Sequence, residues 1–485
     1  MSTFDAGKTA ARNSYDSEVP PNLLEFMLRS WSPKGRKPPR VLRDAASFRK
    51  RRERLSQRFP GELLVIPSGH RKVRNNDCYY SFRPGTDFYY LTGVLEPDCA
   101  LLLVPQGKTH VQLLFVEANP GKSDATFFTD RNKGELWEGP RLGVPESATR
   151  FVIDCRSLAD LESNLATARA QSGARVRVLR GHSAATEAMS RADGTEQAQK
   201  DQELAVFLSE MRLLKDAGEV KALQSAVAAT KRGFEDVIAR LRTASSEREL
   251  EGVFWTRARM EGNDVGYTSI VASGAHACTL HWKHNDGAIR KGDLLLLDAG
   301  IEGHSLYTSD ITRTLPISGT FTREQRAVYE IVLAAQRAAL TRVRPGNDFM
   351  APNQAAMIVL AEGLERLGIL SMPAAEALRD ENQFYRRYSL HNVSHMLGLD
   401  VHDCAQARAQ NYKYGKLAAG MVLTVEPGLY FQTDDLTVPV RYRGIGVRIE
   451  DDILVTPKGH RVLSSSLPRE PDEVEKWMQQ IWKRR

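Results

Sequence analysis

GDLLLLDAG, Gly292 to Gly300, puts a carboxylate, Asp298, at the end of four consecutive leucines. Such a run reads as a strand buried on both faces, and an acid at its end loses hydration unless something positive meets it. The bland alternative is a surface turn for which Asp and Gly supply the geometry. What decides between them is a second copy. Aligned on glycine, GMVLTVEPG (Gly420–Gly428) repeats the frame of glycine, mostly apolar residues, acid, small or turn residue, glycine, and places Glu426 where the first copy has Asp298.

Each copy is followed by a further strand-like segment that also carries an acid, Asp310 in SLYTSDITRTLP and Glu450 in GIGVRIEDDILVT. Two strand pairs that each deliver two inward carboxylates are not four independent turns, because uncompensated charges do not share a dry interior. Such a cluster needs cations, and hard oxygen donors with one or two imidazoles select Mn²⁺, Zn²⁺, Co²⁺ or Fe²⁺ over thiolate-loving metals. The imidazoles lie between the pairs, in HNVSHMLGLDVHD. His391, His395 and His402 fall within this stretch of a chain that has 11 histidines, and Gly398 lets the backbone turn between the last two. One of the three reads as a ligand and the others as substrate-side groups.

The 485 residues suffice for two or three domains with substantial cores. No apolar run approaches the roughly 18 residues of a membrane span. The five cysteines, Cys78, Cys99, Cys155, Cys278 and Cys404, are scattered without CxxC spacing, which argues against a disulfide framework or zinc knuckle and for a reducing cytoplasm. The N-terminus lacks a secretory layout. Net charge is +7, yet the first 60 residues hold 14 Lys or Arg against six acids, so the basic excess belongs to the N-terminal arm. In FRKRRERLSQRF the apolar residues recur at helical spacing, which reads as a solvated helix face rather than a nucleic-acid site.

Along the chain, residues 1–43 read as a basic, flexible leader, with SPKGRKPPR extended. Residues 44–198 read as an α/β domain, an opening helix followed by strands in GELLVIPSG, DFYYLTGV, CALLLVP, HVQLLFVE, RFVID and RVRVLRG. GHSAATEAMSRADGTEQAQKD is small and polar and suits a linker or insertion. Residues 199–485 form the second domain, which opens on two long helices, the first ending near Asp216.

LLLLDAG, SDITRTLP, SHMLGLDVHD, TVEPGLYF and GIGVRIEDD resemble the metal-site segments of the pita-bread metallopeptidases, and among them of the aminopeptidase P (Xaa-Pro aminopeptidase) family. RNNDCYYSFRPGTDFYYLTGV resembles that family's N-terminal domain, and MRLLKDAGEV the start of its catalytic domain; the likeness spans roughly Ala45 to Leu467. It implies an α/β domain followed by an α+β pita-bread catalytic domain with internal pseudo-twofold duplication. It implies metal ligands Asp298, Asp310, His395, Glu426 and Glu450, with Asp310 and Glu450 bridging two divalent ions, manganese first and zinc or cobalt as substitutes. His281, His391 and His402 match substrate-side histidines, and Arg448 an arginine that braces the carboxylates. Ser309 departs from the glycine common before the second Asp and adds only a hydroxyl, and the leader is longer than bacterial relatives usually need.

Four carboxylates and two divalent ions cancel, so a bridging hydroxide leaves one negative charge for Arg448 to offset. The expected reaction is attack of that hydroxide on the carbonyl preceding proline, with Glu426 shuttling the proton to the leaving nitrogen and His402 and His281 stabilising the tetrahedral species or holding the amide. The products are a free N-terminal residue and a peptide beginning with proline. Prolidase, which takes Xaa-Pro dipeptides, is the nearest alternative. Methionine aminopeptidase does not require the first domain, and creatinase does not use metal. A metal-free binding protein on the same fold, with the basic leader holding RNA or protein, is the alternative of another class. The resemblance further implies a homo-oligomer, a dimer or tetramer; the absence of a long apolar run and the helical spacing of the basic segment lead to the expectation of no membrane or nucleic-acid partner.

Overall fold

The computed structural model describes residues 19–32, 37–172, 175–190 and 194–484. Residues 1–18 and 33–36 of the expected leader lie outside the described residues. The chain divides into two units after Gln202.

In the first unit a five-stranded mixed sheet is built from β1 (Leu63–Pro67), β2 (Ala100–Gln106), β3 (Thr109–Val116), β4 (Asp154–Ser157) and β5 (Val176–Val178), in the order β4-β3-β2-β1-β5. The opening helix is present at Ala45–Arg58. Its face is not wholly solvated. Arg52 is buried, and its guanidinium donates to Leu91 O at 2.8 Å and Gln112 Oε1 at 2.6 Å.

Four expectations need correction here. RFVID (150–154) is not a strand: Arg150 and Phe151 end the helix Val144–Phe151, Val152 caps it in a left-handed conformation, and β4 begins only at Asp154. DFYYLTGV is a helix, Thr86–Thr92, and not a strand. Phe88 to Thr92 are all buried, so the run has no polar–apolar alternation to separate the two states. The expected linker is largely helical, at Ala184–Ser190 and in α1 (Thr195–Met211), and is tied to the sheet where Asp201 accepts from Val178 N and Arg180 Nε. The leader, expected to be extended, contains a helix at Pro21–Leu28, with proline in the first turn, where a missing N–H loses no bond.

In the second unit, Asp216 does not end a helix but starts one. Its side chain accepts from Glu219 N and Glu219 answers at Asp216 N, a capping box for α2 (Ala217–Leu241). Helix α3 (Glu247–Glu261) follows. Strands β6 (Ile270–Ser273), β7 (Leu294–Ala299) and β8 (Ile311–Pro316) form one antiparallel sheet in the order β8-β7-β6. After α4 (Arg323–Leu340) and α5 (Ala351–Arg366) come β9 (Val422–Val425), β10 (Gly428–Tyr430), β11 (Gly446–Arg448), β12 (Asp451–Thr456) and β13 (Gly459–Val462); β10 pairs with β11, and β9-β12-β13 is a second three-stranded sheet in which β9 lies at the edge, whereas β7 is central in its own. Each glycine-framed segment thus supplies one strand of a three-stranded sheet.

The leucine run explains where Asp298 points. Leu295 and Leu297 pack with Phe234, Ile238 and Phe254 of α2 and α3, whereas Leu296 packs with Ile270, Ala272 and Tyr430 on the opposite face. With a side-chain period of two, Asp298 shares the face of Leu296. Pairing of Asp298 with Thr312 and of Leu296 with Thr314 sets Asp310, two residues before Thr312, on that face as well. Gly300 is needed for close approach, since a Cβ there would run into the Ser309 carbonyl. In the second sheet, Thr424 pairs with Asp452 and places Glu426 and Glu450 by the same parity.

Candidate metal centre

The side chains converge around Asp310, whose carboxylate, with His395 and Glu450, offers ligand atoms all within 4.8 Å of one another. His395 Nε2 lies 3.3 Å from Asp310 Oδ2 and 3.3 Å from Glu426 Oε1, while its Nδ1 faces Met396 O at 3.2 Å. The Nδ1 contact turns the other nitrogen toward the carboxylates. The backbone fixes the ring further: Thr424 N donates to His395 O at 2.9 Å, and His395 N donates to Thr424 Oγ1 at 3.2 Å.

Asp298 lies to one side. Arg448 Nη2 donates to its Oδ2 at 2.5 Å, and the Tyr267 hydroxyl sits 2.7 Å from its Oδ1 and 2.5 Å from Asp310 Oδ1. Arg448 also donates to the Tyr430 hydroxyl at 3.0 Å and to Thr312 Oγ1 at 3.2 Å. Thr312 Oγ1 in turn donates to Glu450 Oε2 at 2.6 Å. Behind these, Asp452 accepts from Asp310 N at 3.2 Å.

Three buried carboxylates and the partly buried Glu426 are met by the Arg448 guanidinium and the His395 imidazole, and the shortage of positive charge registers on Glu450 and Asp298. Burial, reinforced by Asp310 and Glu426, pushes Glu450 well above the carboxylate range. Burial raises Asp298 too, partly offset by Arg448. Burial also works against the charge on Glu426, but His395 and His391 outweigh it and hold that carboxyl at about 2. Burial disfavours the charged form of His395, and Asp310 and Glu426 override it, lifting the imidazole well above its ordinary value. This donor set, oxygen-rich with one imidazole and short of cations, fits hard or borderline divalent ions.

The expected site residues therefore come together, with differences in how closely. Asp298, Asp310, His395, Glu426, Glu450 and Arg448 form one connected group. His391 borders it, with Nδ1 3.6 Å from Glu426 Oε2 and Nε2 2.8 Å from the Tyr430 hydroxyl. The ring of His402 stands edge-on to His395 at a centroid distance of 4.4 Å. His281 is exposed. Tyr267, Thr312, Tyr430 and Asp452 belong to the site but are not picked out by the sequence reading. Thr312 alone carried a usable signal, two residues from Asp310 and hence on the same strand face.

The chain matches the model of metallopeptidase family M24 over residues 221–457 and that of the aminopeptidase P N-terminal domain over residues 48–176. It is 49% identical over 469 residues to Xaa-Pro aminopeptidase 1 of Streptomyces coelicolor, covering 96% of this chain and 94% of that one. It resembles the solved aminopeptidase P from E. coli with the inhibitor Pro-Leu, at a TM-score of 0.80 and 32% identity, over 91% of this chain and 100% of that one. A Zn-substituted form of the E. coli protein in complex with product matches equally, at a TM-score of 0.80 and 32% identity, over 91% of this chain and 99% of the other.

Proposed function

Since the chain belongs to metallopeptidase family M24, and within it to the Xaa-Pro aminopeptidases, it is a metallo-aminopeptidase, and we propose that it removes the N-terminal residue from peptides with proline in second position, using two divalent ions. The observation that carries the reading is the convergence of the buried Asp298, Asp310 and Glu450 and the partly buried Glu426 about His395, with the Arg448 guanidinium bonded to Asp298. Asp298, Asp310, His395, Glu426 and Glu450 would hold the ions, with manganese the preferred metal. When bound, such ions polarise the scissile carbonyl and lower the pKa of water at the site toward neutrality, which supplies a nucleophile.

The chain's own groups do the rest. Glu426, kept ionised by His395, accepts a proton at its carboxylate and delivers it to the leaving proline nitrogen. Burial lowers the pKa of both His391 and His402, so at neutral pH each is an uncharged imidazole suited to hydrogen-bond the substrate amide. Arg448 offsets Asp298 and fixes its orientation.

Among the described residues no helix is long and apolar enough to cross a membrane. A cytoplasmic place is supported by the five free cysteines, and a dimer or tetramer remains part of the proposal through the family likeness. Rates on an Xaa-Pro dipeptide and an Xaa-Pro-Xaa tripeptide, measured with Mn²⁺-reconstituted protein, test the substrate assignment. The tripeptide is expected to be the better substrate by kcat/KM. A marked preference for the dipeptide contradicts the reading.

A further inference from the structure

Away from the proposed ligands, Asp403, Arg212 and Lys215 form a buried ion cluster, with side chains 1%, 7% and 0% exposed. Arg212 Nε donates to Asp403 Oδ1 at 2.9 Å, and Lys215 Nζ lies 3.5 Å from Oδ2. Burial works against ionisation of Asp403, but the two cations outweigh it and hold its carboxyl low. A buried ion cluster of this kind is seldom the most stable filling of its volume, because apolar side chains of similar size often do as well or better. Its value is sought in the geometry it imposes.

That geometry centres on His402. Asp403 follows it directly, and its carboxylate also accepts from Cys404 N at 2.7 Å. Cys404 adopts a left-handed backbone with φ 62°, unfavourable for a residue with a side chain, so the turn persists only because its surroundings hold it. Asp403 N donates to Met396 O at 3.0 Å, which ties the turn to the residue after His395. Gly398 packs against both Asp403 and Lys215 where a Cβ does not fit, and its carbonyl accepts from Thr308 N at 3.0 Å, two residues before Asp310. Lys215 N donates to Gly420 O at 2.8 Å, at the start of the segment that carries Glu426. The turn bearing His402 is thus tied to the segment that carries Asp310 and, through Lys215, to the glycine-framed segment that carries Glu426.

We propose that Asp403, locked between Arg212 and Lys215, is a positioning residue that sets the imidazole of His402 against the metal centre and thereby the rate of peptide cleavage. The inference rests on the reading of His402 as a substrate-side group. Asp403 bonds to Arg212, Cys404 N and Met396 O and acts through the turn.

The test is a double-mutant cycle in the Mn²⁺-reconstituted full chain, with His402→Ala, Asp403→Asn and both together. It reads kcat and KM on an Xaa-Pro-Xaa tripeptide, with bound metal counted for each variant. Misplacing a catalytic-site group by about 1 Å costs on the order of 100-fold. Asp403→Asn is therefore expected to lower kcat by about 10- to 100-fold, with KM and metal content near wild type. The double variant is expected to be no slower than His402→Ala alone. Wild-type kcat in Asp403→Asn, or losses that multiply in the double variant, overturns the proposal. Wild-type kcat in His402→Ala instead overturns the role assigned to His402. If Asp403→Asn does not fold, Lys215→Met, which keeps the volume and removes one charge, carries the same cycle with the same opposed outcomes.

Discussion

Asp298 is answered from two directions, by the Arg448 guanidinium and by the Tyr267 hydroxyl it shares with Asp310. Removing the charge of Arg448 while keeping a polar group, as in Arg448→Gln, leaves a buried carboxylate short of its cation. The expected result is a fall of about 10- to 100-fold in kcat or metal affinity, read by steady-state kinetics and metal titration. A second residue-scale expectation concerns pH. The Arg387 guanidinium, with the hydroxyl and N–H of Thr437, holds the Asp435 carboxyl down at about 2. A depressed folded-state value stabilises above the unfolded value near 4 and is lost as pH falls toward 2. Asp435→Asn should therefore melt below wild type at pH 7, and the gap should close as thermal melts are repeated from about pH 4 downward. At this scale the charged groups were legible because buried charge is rare and conspicuous. Tyr267, Tyr430 and Asp452 were not, since a tyrosine before a strand or an acid beside another acid looks ordinary until the fold sets it against Asp310.

Strand β7 shows what an element contributes. Its odd-numbered leucines anchor it to α2 and α3, and its even-numbered positions present Leu296 and Asp298 to the site. Leu297→Ala deletes a fully buried side chain one residue from Asp298, on the opposite face, and should destabilise the protein by about 2–5 kcal/mol in denaturant unfolding. Glycine framing and period-two arithmetic made β7, β8, β9 and β12 readable, because these strands are short and bounded by turn residues. The same logic failed in the first unit at Thr86–Thr92, where burial on every side erased periodicity, and at the expected linker. There, small polar composition concealed the helices Ala184–Ser190 and α1, whose stability comes from tertiary anchors such as Asp201 rather than from an apolar stripe.

For the whole molecule, the duplication is the organising fact: two three-stranded sheets each hand two carboxylates to one place, and the histidine turn between them adds His395. It follows that metal and folding are linked. A ligand that binds only the folded chain stabilises it by RT ln(1 + [L]/Kd), about 2.7 kcal/mol at 100 Kd. The central claim, that this chain holds two divalent ions through Asp298, Asp310, His395, Glu426 and Glu450, is tested most directly by counting. Protein stripped with a chelator is titrated with Mn²⁺, and bound ions per chain are read by equilibrium dialysis beside turnover of an Xaa-Pro-Xaa tripeptide, for wild type and for Glu450→Ala. The account predicts two ions per wild-type chain with activity rising as they bind, and loss of both full occupancy and turnover in Glu450→Ala. Two ions and near wild-type turnover in Glu450→Ala, or full wild-type activity without bound metal, contradicts it.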